Sequence, residues 1–169
     1  MSDSTPPVFL VDAQADPVVI RIEGRASFIN SGALRDFIVE MRRQGRVRFV
    51  VDFKHCASMD STFLGVLAGT ALELRKLSPP GALILARAGE RNLELIHNLG
   101  LHRLALVETS APRAAASCGQ ALPAAPRTEL DSARLVLEAH ENLVAADGAN
   151  LDKFQDVLAF LRNRVAGGR

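Results

Sequence analysis

The sequence predicts an α/β protein, in which a mixed sheet of four or five strands is covered by helices and followed by a C-terminal helical extension. The first supporting observation is that short apolar runs, typical of strands, alternate with segments whose apolar residues recur at helical spacing. The second is a change of composition, because this alternation ends near residue 110 and an Ala- and Pro-rich stretch with two helical patterns follows. Strands separated by helices of these lengths favour parallel strand–helix–strand units.

Composition and charge restrict the classes of function. The chain has 169 residues, enough for one domain with a sizeable core. Its net charge is only +1, and Trp and Tyr are absent, so neither a basic field nor stacking platforms for nucleic acid are expected. The two cysteines make no disulfide framework, and we find no signal peptide or apolar membrane run. These features indicate a protein of the reducing cytoplasm without a membrane span.

The chain begins with a predicted hairpin and an amphipathic helix. Residues 8–11 and 18–23 are short strand candidates, close enough in sequence to pair antiparallel. Asn30 or Ser31 can cap the following helix, which Gly45 ends. The helix places four apolar residues on one face, at Leu34, Phe37, Ile38 and Met41.

The central stretch is a buried strand over residues 47–53, a short loop, and a helix that opens at Asp60 or Ser61. This helix is apolar on nearly every side, which predicts that it is largely buried. Gly65 and Gly69 lie on one helical face, although each lowers helix propensity by about 1 kcal/mol relative to Ala. We therefore expect another backbone to pack closely against this face.

Two further strands and one helix complete the predicted sheet. Residues 82–86 form a buried strand candidate, residues 90–98 a short helix, and residues 104–107 the last strand.

The remaining chain is predicted to be an appendage to a domain of residues 1–110. Residues 111–127 are rich in Ala and Pro and are interpreted as a linker. Residues 128–169 contain helical patterns over 129–145 and 151–165, separated by an Asp-Gly pair, which predicts a helical hairpin. This hairpin could dock on the domain, or it could pair with a second copy and form a homodimer.

Two separated motifs resemble those of a known family. They are Met59-Asp60-Ser61 with Leu64-Gly65 after a strand that contains Asp52, and Asn98-Leu99-Gly100-Leu101 before the last strand. Together they resemble the STAS domain of bacterial anti-sigma factor antagonists, over residues 8–110. The resemblance implies a STAS-type fold and a regulatory binding module. Its partner would be an anti-sigma factor of the GHKL-type serine kinase class, and the module would control transcription by partner switching.

In that family the motif serine is phosphorylated by the partner kinase, and this role corresponds to Ser61. The partner-binding prediction covers six residues: Ser27, Asn30, Asp60, Ser61, Thr62 and Phe63. Phosphorylation adds about −1.5 to −2 charges, which a helix N-terminus tolerates but an approaching partner does not. Phosphorylation requires that the Ser61 hydroxyl be accessible to solvent, so neither Phe63 nor the C-terminal tail should cover it.

Two positions depart from the family pattern. Phe63 occupies a position where the family commonly has a small residue, and it could pack inward or reshape the contact surface. Ala26-Ser27 replaces a usual Leu-Asp pair, so a carboxylate that normally contacts the partner is missing. Ser61 could also be a plain helix-capping serine, and Asp60 could serve as the cap rather than as a partner contact.

Other functions have less support in the sequence. The four histidines, at positions 55, 97, 102 and 140, lack the spacing of metal ligands, so no metal or other cofactor is predicted. Cys56 could be a reactive thiol, but a buried structural role is favoured. No catalytic constellation is evident, and we predict that the protein is not an enzyme. The alternative is a non-phosphorylated STAS structural subunit of a larger cytoplasmic complex, such as a lipid-transport ABC system or a stress-sensing scaffold.

Overall fold

A computed structural model describes residues 8–112, 118–124 and 126–168 of the chain. Strands and helices alternate as predicted, and a short 3₁₀ turn at Leu101–Arg103 precedes the fifth strand. In chain order the elements are β1 (Phe9–Asp12), β2 (Val18–Ala26), α1 (Ser31–Arg43), β3 (Arg48–Met59), α2 (Ser61–Arg75), β4 (Ala82–Ala86), α3 (Glu90–Asn98), β5 (Leu106–Glu108), β6 (Gln120–Ala121), α4 (Glu129–Ala146) and α5 (Asn150–Gly167). The predicted α/β class with a C-terminal helical extension is confirmed.

The sheet is mixed, and its strand order is β5-β4-β3-β2-β1-β6. Strands β1 and β2 form the predicted antiparallel hairpin, whereas β2, β3, β4 and β5 pair in parallel. Within the residues that the structure describes, the sheet has six strands rather than four or five, because β6 pairs antiparallel with the outer side of β1. This strand lies within residues 111–127, which the sequence predicted to be a linker. The boundaries proposed for the three segments stay a prediction.

Strand β3 is longer than the sequence predicted. It continues through residues 54–59, which were expected to form a loop, because its parallel pairing with β2 is maintained by two register shifts. The last paired residues are Ala26 of β2 and Met59 of β3. The two strands therefore end together, and the β2–α1 loop lies beside the start of α2.

The two faces of the sheet are covered differently. On β3, Val51 and Phe53 belong to the large core shared with α1 and α2, while Val50 belongs to a smaller cluster on the opposite face. Asp52 also points to the opposite face and is fully buried. Its two carboxylate oxygens accept hydrogen bonds from the guanidinium of Arg87, at 3.0 and 2.5 Å. The buried charge is thus paired.

Helix α2 is buried along most of its length, as predicted, because the sheet lies under it and α4 lies over it. A Cβ atom added at Gly65 would lie 2.2 Å from the backbone oxygen of Ala139 in α4. One added at Gly69 would lie 2.3 Å from the side-chain nitrogen of Asn142. The predicted close approach of a backbone is confirmed at Gly65, and α4 provides it.

The C-terminal helices dock on the domain of the same chain. Arg35 of α1 makes two hydrogen bonds to the Glu138 carboxylate, at 3.0 and 3.1 Å. The buried side chain of Asn150 donates to the backbone oxygens of Leu99 and Leu143, at 3.0 and 2.7 Å. Because α4 uses its apolar face within the chain, pairing with a second copy would have to use other residues. Homodimer formation stays a prediction, and α5 exposes three large apolar side chains: Leu151, Val157 and Phe160.

Candidate functional site

Ser61 lies at the first position of α2, where β2 and β3 end, and it is partly exposed. Asp60 is the N-cap residue in an extended conformation, and its Oδ1 accepts a hydrogen bond from the Phe63 backbone N–H at 3.0 Å. Its Oδ2 accepts from the backbone N–H of Phe28 at 2.8 Å. Asp60 therefore caps α2 and also ties the β2–α1 loop to the start of that helix.

The β2–α1 loop is braced by its own polar side chains. The Asn30 side chain accepts from the Ser27 backbone N–H at 3.0 Å and donates to the Arg25 backbone oxygen at 2.9 Å. Asn30 is the N-cap residue of α1 by position, but its side chain makes no capping hydrogen bond. The loop carries Phe28 and Ile29, which are 51% and 75% exposed. The sequence prediction missed these two residues, although adjacent large apolar residues in a loop were a signal available in the sequence.

Two of the residues assigned to partner binding lie inside the protein, and this corrects the prediction. Thr62 is 4% exposed and Phe63 is fully buried. The Phe63 ring stacks on Phe9 with centroids 6.0 Å apart, and Phe53 meets it edge to face at 6.3 Å. The Phe63 side chain, at a position where the family commonly has a small residue, therefore fills the core. In the first two turns of α2, Ser61 is the residue that reaches the surface, together with the cap Asp60, because residues 62–68 are buried.

The Ser61 hydroxyl is hydrogen-bonded to a residue of the C-terminal tail. Ser61 Oγ lies 2.9 Å from Nε2 of His140 in α4, and Nδ1 of the same ring lies 2.7 Å from the Val136 backbone oxygen. His140 is 4% exposed, and its ring packs edge to face against Phe154 of α5. The sequence prediction considered His140 only as a metal ligand and missed this contact, because 79 residues separate the two partners.

The other side of Ser61 is open. Ser61 lines a pocket of about 470 Å³ between the start of α2, the end of α3 and the start of α5. Leu64, Leu95 and Lys153 are among the other lining residues. Ser61 is therefore hydrogen-bonded to the tail and still borders an open pocket, whose wall includes the tail residues Lys153 and Phe154; Phe63 points into the core and does not shield it.

The remaining candidate groups form no further site in the described residues. The rings of His97 and His102 stack at 4.2 Å, but residues 8–112, 118–124 and 126–168 contain no group of three or more potential metal ligands. Burial raises the pKa of the Cys56 thiol to about 11, so this thiol is protonated at neutral pH. In the same part of the chain, no helix is long and apolar enough to span a bilayer.

The comparisons with known proteins agree with this fold. A family model described as "Mlab, STAS domain" matches residues 9–108, which is more than half of the chain. The chain belongs to the STAS domain family. The match ends before β6, α4 and α5, so His140 lies outside the matched region. Comparison with curated proteins gave no significant match.

Solved structures of anti-sigma factor antagonists share the STAS fold with this chain. The unphosphorylated form of SpoIIAA is 21% identical, covers 64% of this chain and 94% of its own, and has a TM-score of 0.52. The phosphorylated form of SpoIIAA, a Bacillus cell fate determinant, is 23% identical, covers 60% and 92%, and has a TM-score of 0.50. An antagonist from Mycobacterium paratuberculosis is 21% identical, covers 68% and 97%, and has a TM-score of 0.54. At these identities the likeness shows the fold.

Proposed function

We propose that this STAS domain protein is a regulatory binding module of the anti-sigma factor antagonist type. It binds a kinase-type anti-sigma factor, or a related switch kinase, in the cytoplasm. Phosphorylation of Ser61 by that kinase ends the binding. The module itself is not an enzyme, since it is the substrate of the kinase.

The observation that carries this proposal is the placement of Ser61 at an accessible helix start beside an exposed apolar loop. Asp60 holds the β2–α1 loop against α2 through its hydrogen bond to the Phe28 backbone. The surface so formed, which we call the switch surface, consists of Ser27, Phe28, Ile29, Asn30, Asp60 and Ser61. Exposed aromatic and aliphatic side chains beside a modifiable hydroxyl are suited to an interface that one modification can disrupt.

The electrostatics of the switch surface support control by phosphate. A phosphoserine at position 61 would carry about −1.5 to −2 charges at neutral pH, next to the negative Asp60. The first-turn N–H groups of α2 would stabilise this charge within the module. A partner that packs against Phe28 and Ile29 would remove water from the phosphate without replacing its hydration, so the charge would oppose binding. The SpoIIAA structures include a phosphorylated and an unphosphorylated form, as expected for a phosphate-controlled antagonist.

A second candidate function is a structural subunit of a larger complex, such as a lipid-transport ABC system or a stress-sensing scaffold. The observation that favours it is the hydrogen bond from Ser61 to His140, which gives the hydroxyl a structural role without phosphate. Under this alternative Ser61 is not modified, and a charge at this position does not control assembly.

The two functions are distinguished by purifying tagged variants from the native host and identifying the captured proteins. We expect the wild-type protein and Ser61→Ala to capture a GHKL-type ATPase, and Ser61→Asp to lose it. Thr128→Asp is the matched control, because Thr128 caps α4 and also accepts a new charge at a helix start, away from the switch surface. Phosphate mapped to Ser61 by mass spectrometry would support the switch. An ABC ATPase captured equally by all variants would refute it.

A further inference from the structure

The hydrogen bonds of His140 determine which ring nitrogen carries the proton. Nδ1 lies 2.7 Å from the Val136 backbone oxygen, which can only accept, so Nδ1 is the donor in this contact. In the neutral ring Nε2 then has a free lone pair directed at Ser61 Oγ, 2.9 Å away. The hydroxyl therefore donates to the imidazole, and the helical carbonyl holds the ring in this orientation.

This arrangement matches the geometry of an activated nucleophile. A hydroxyl becomes nucleophilic when a neighbouring base lies within about 2.6–3.2 Å and a third group orients that base. Here the Val136 carbonyl orients the ring in the place where hydrolases use a carboxylate. Phe154 of α5 also packs edge to face against the ring, with centroids 4.9 Å apart.

The space next to the hydroxyl suits a phosphoryl group. The pocket of about 470 Å³ is lined by Ser61, and Lys153 is on its wall. The Lys153 ammonium donates to the Asn98 backbone oxygen at 2.6 Å, which positions a positive charge at this wall. The backbone N–H groups of Ser61 and Thr62 have no acceptor one turn earlier in α2 and point toward the same helix end. These donors would stabilise oxygens that gain negative charge during transfer.

We propose that His140 is a general base, supplied by the tail of this chain, that activates Ser61 as a phosphoryl acceptor. The Oγ–H proton moves to Nε2 of His140 as the bond between Oγ and phosphorus forms. The bond between that phosphorus and the leaving oxygen of a nucleoside triphosphate breaks, and the diphosphate departs with the bonding electron pair. The resulting imidazolium stays beside the new phosphate until it releases the proton to water.

The proposal rests on the proposed function in that Ser61 accepts phosphate, and it adds a role for the C-terminal helices. The family match covers residues 9–108, so the base comes from outside the conserved STAS fold. Docking of α4 on α2 is then a requirement for rapid modification of Ser61.

The test uses a fluorophosphonate, a phosphorus electrophile that needs no kinase. Attack by Ser61 Oγ forms an O–P bond, expels fluoride and passes the proton to His140. Labelling of the full chain is followed by intact mass spectrometry and located by peptide mapping. We expect labelling of Ser61 in the wild-type protein and its loss in Ser61→Ala. General-base assistance contributes typically about 10²–10⁴-fold, so His140→Gln should react at least about 100-fold more slowly.

Two variants separate a base from a structural contact. The His140→Gln side chain can reach the Nε2 position and accept from Ser61, but it cannot take up a proton. The shorter amide of His140→Asn can keep the contact with Val136 but not the one with Ser61. Slow labelling in both variants, at unchanged thermal unfolding by circular dichroism, supports the proposal. Wild-type rates in His140→Gln with slow labelling only in His140→Asn would show a positioning role and overturn it, as would a wild-type protein that is not labelled at Ser61.

The outcome is separable from that of the proposed function. If labelling of Ser61 depends on His140 but Ser61 is never phosphorylated in the host, the proposed control by phosphorylation is refuted and the role of His140 as a base is supported. If Ser61 is phosphorylated in the host but labelling does not depend on His140, the role of His140 as a base is refuted and the proposed control by phosphorylation is supported.

Discussion

Gly65→Ala tests whether the contact between α2 and α4 is as close as the structure indicates. In an open helix the change would stabilise the protein by about 1 kcal/mol through helix propensity. Here the new Cβ would lie 2.2 Å from the Ala139 backbone oxygen, so α4 must move by about 1 Å to restore a normal contact. Overpacking of this kind destabilises by about 1–3 kcal/mol. The same movement weakens the hydrogen bond that the Ser61 hydroxyl donates to His140, and a typical hydrogen bond contributes about 1 kcal/mol.

The net destabilisation should be about 1–3 kcal/mol, which lowers the melting temperature of a chain of this length by about 2–12 °C. Thermal unfolding followed by far-ultraviolet circular dichroism measures it. Gly69→Ala is the matched control on the same helix face, because its new Cβ meets the end of the Asn142 side chain, which can rotate away. Gly69→Ala would lose the hydrogen bond that Asn142 donates to the Gly65 carbonyl, but it would gain helix propensity. Because these two effects are of similar size, this variant should melt near the wild type. A Gly65→Ala protein that melts at or above the wild type would refute the close contact, and so would equal losses in both variants.

Two further predictions concern groups away from the switch surface. Asp52→Asn removes the charge that pairs with Arg87 and weakens two charge-assisted hydrogen bonds, so it should destabilise the fold by about 1–3 kcal/mol in urea denaturation. Glu40→Gln at an exposed ion pair should leave the midpoint unchanged. An unchanged midpoint for Asp52→Asn would mean that the buried pair contributes little. Burial raises the pKa of Cys56 to about 11 and also raises that of Cys118. Ellman's reagent at about pH 8 should therefore react only slowly with the native protein, whereas both thiols should react after unfolding. A thiol that reacts rapidly in the native protein would contradict this reasoning.

The periodic segments of the chain could be read from the sequence with near-correct bounds. Strand β4 and helix α3 were predicted over residues 82–86 and 90–98 and are found there. Helix α2 was predicted to be buried on most sides, and it is. Two motifs, at residues 59–65 and 98–101, resemble the STAS family, which the match over residues 9–108 confirms. The positions and burial of these elements depend on the hydrophobic pattern of neighbouring residues, which a single sequence contains in full, whereas the family was suggested by the resemblance of two motifs.

The predictions failed where a distant part of the chain decides the outcome. Strand β3 extends to Met59 because β2 continues to pair with it, and β6 forms because the edge of β1 accepts it. The exposure of Ser61 on one side and the burial of Thr62 follow from where α4 and the sheet lie around α2.

The sequence by itself therefore determined the α/β class, most helix and strand positions, the family and the nominated serine. Only the tertiary structure decided that the backbone of α4 packs against Gly65 and that Ser61 is hydrogen-bonded to His140, 79 residues away. Local periodicity shows that a helix has an apolar face, but not which surface covers that face. That choice depends on shape and hydrogen-bond matching between segments far apart in the chain, which only the folded molecule brings into contact.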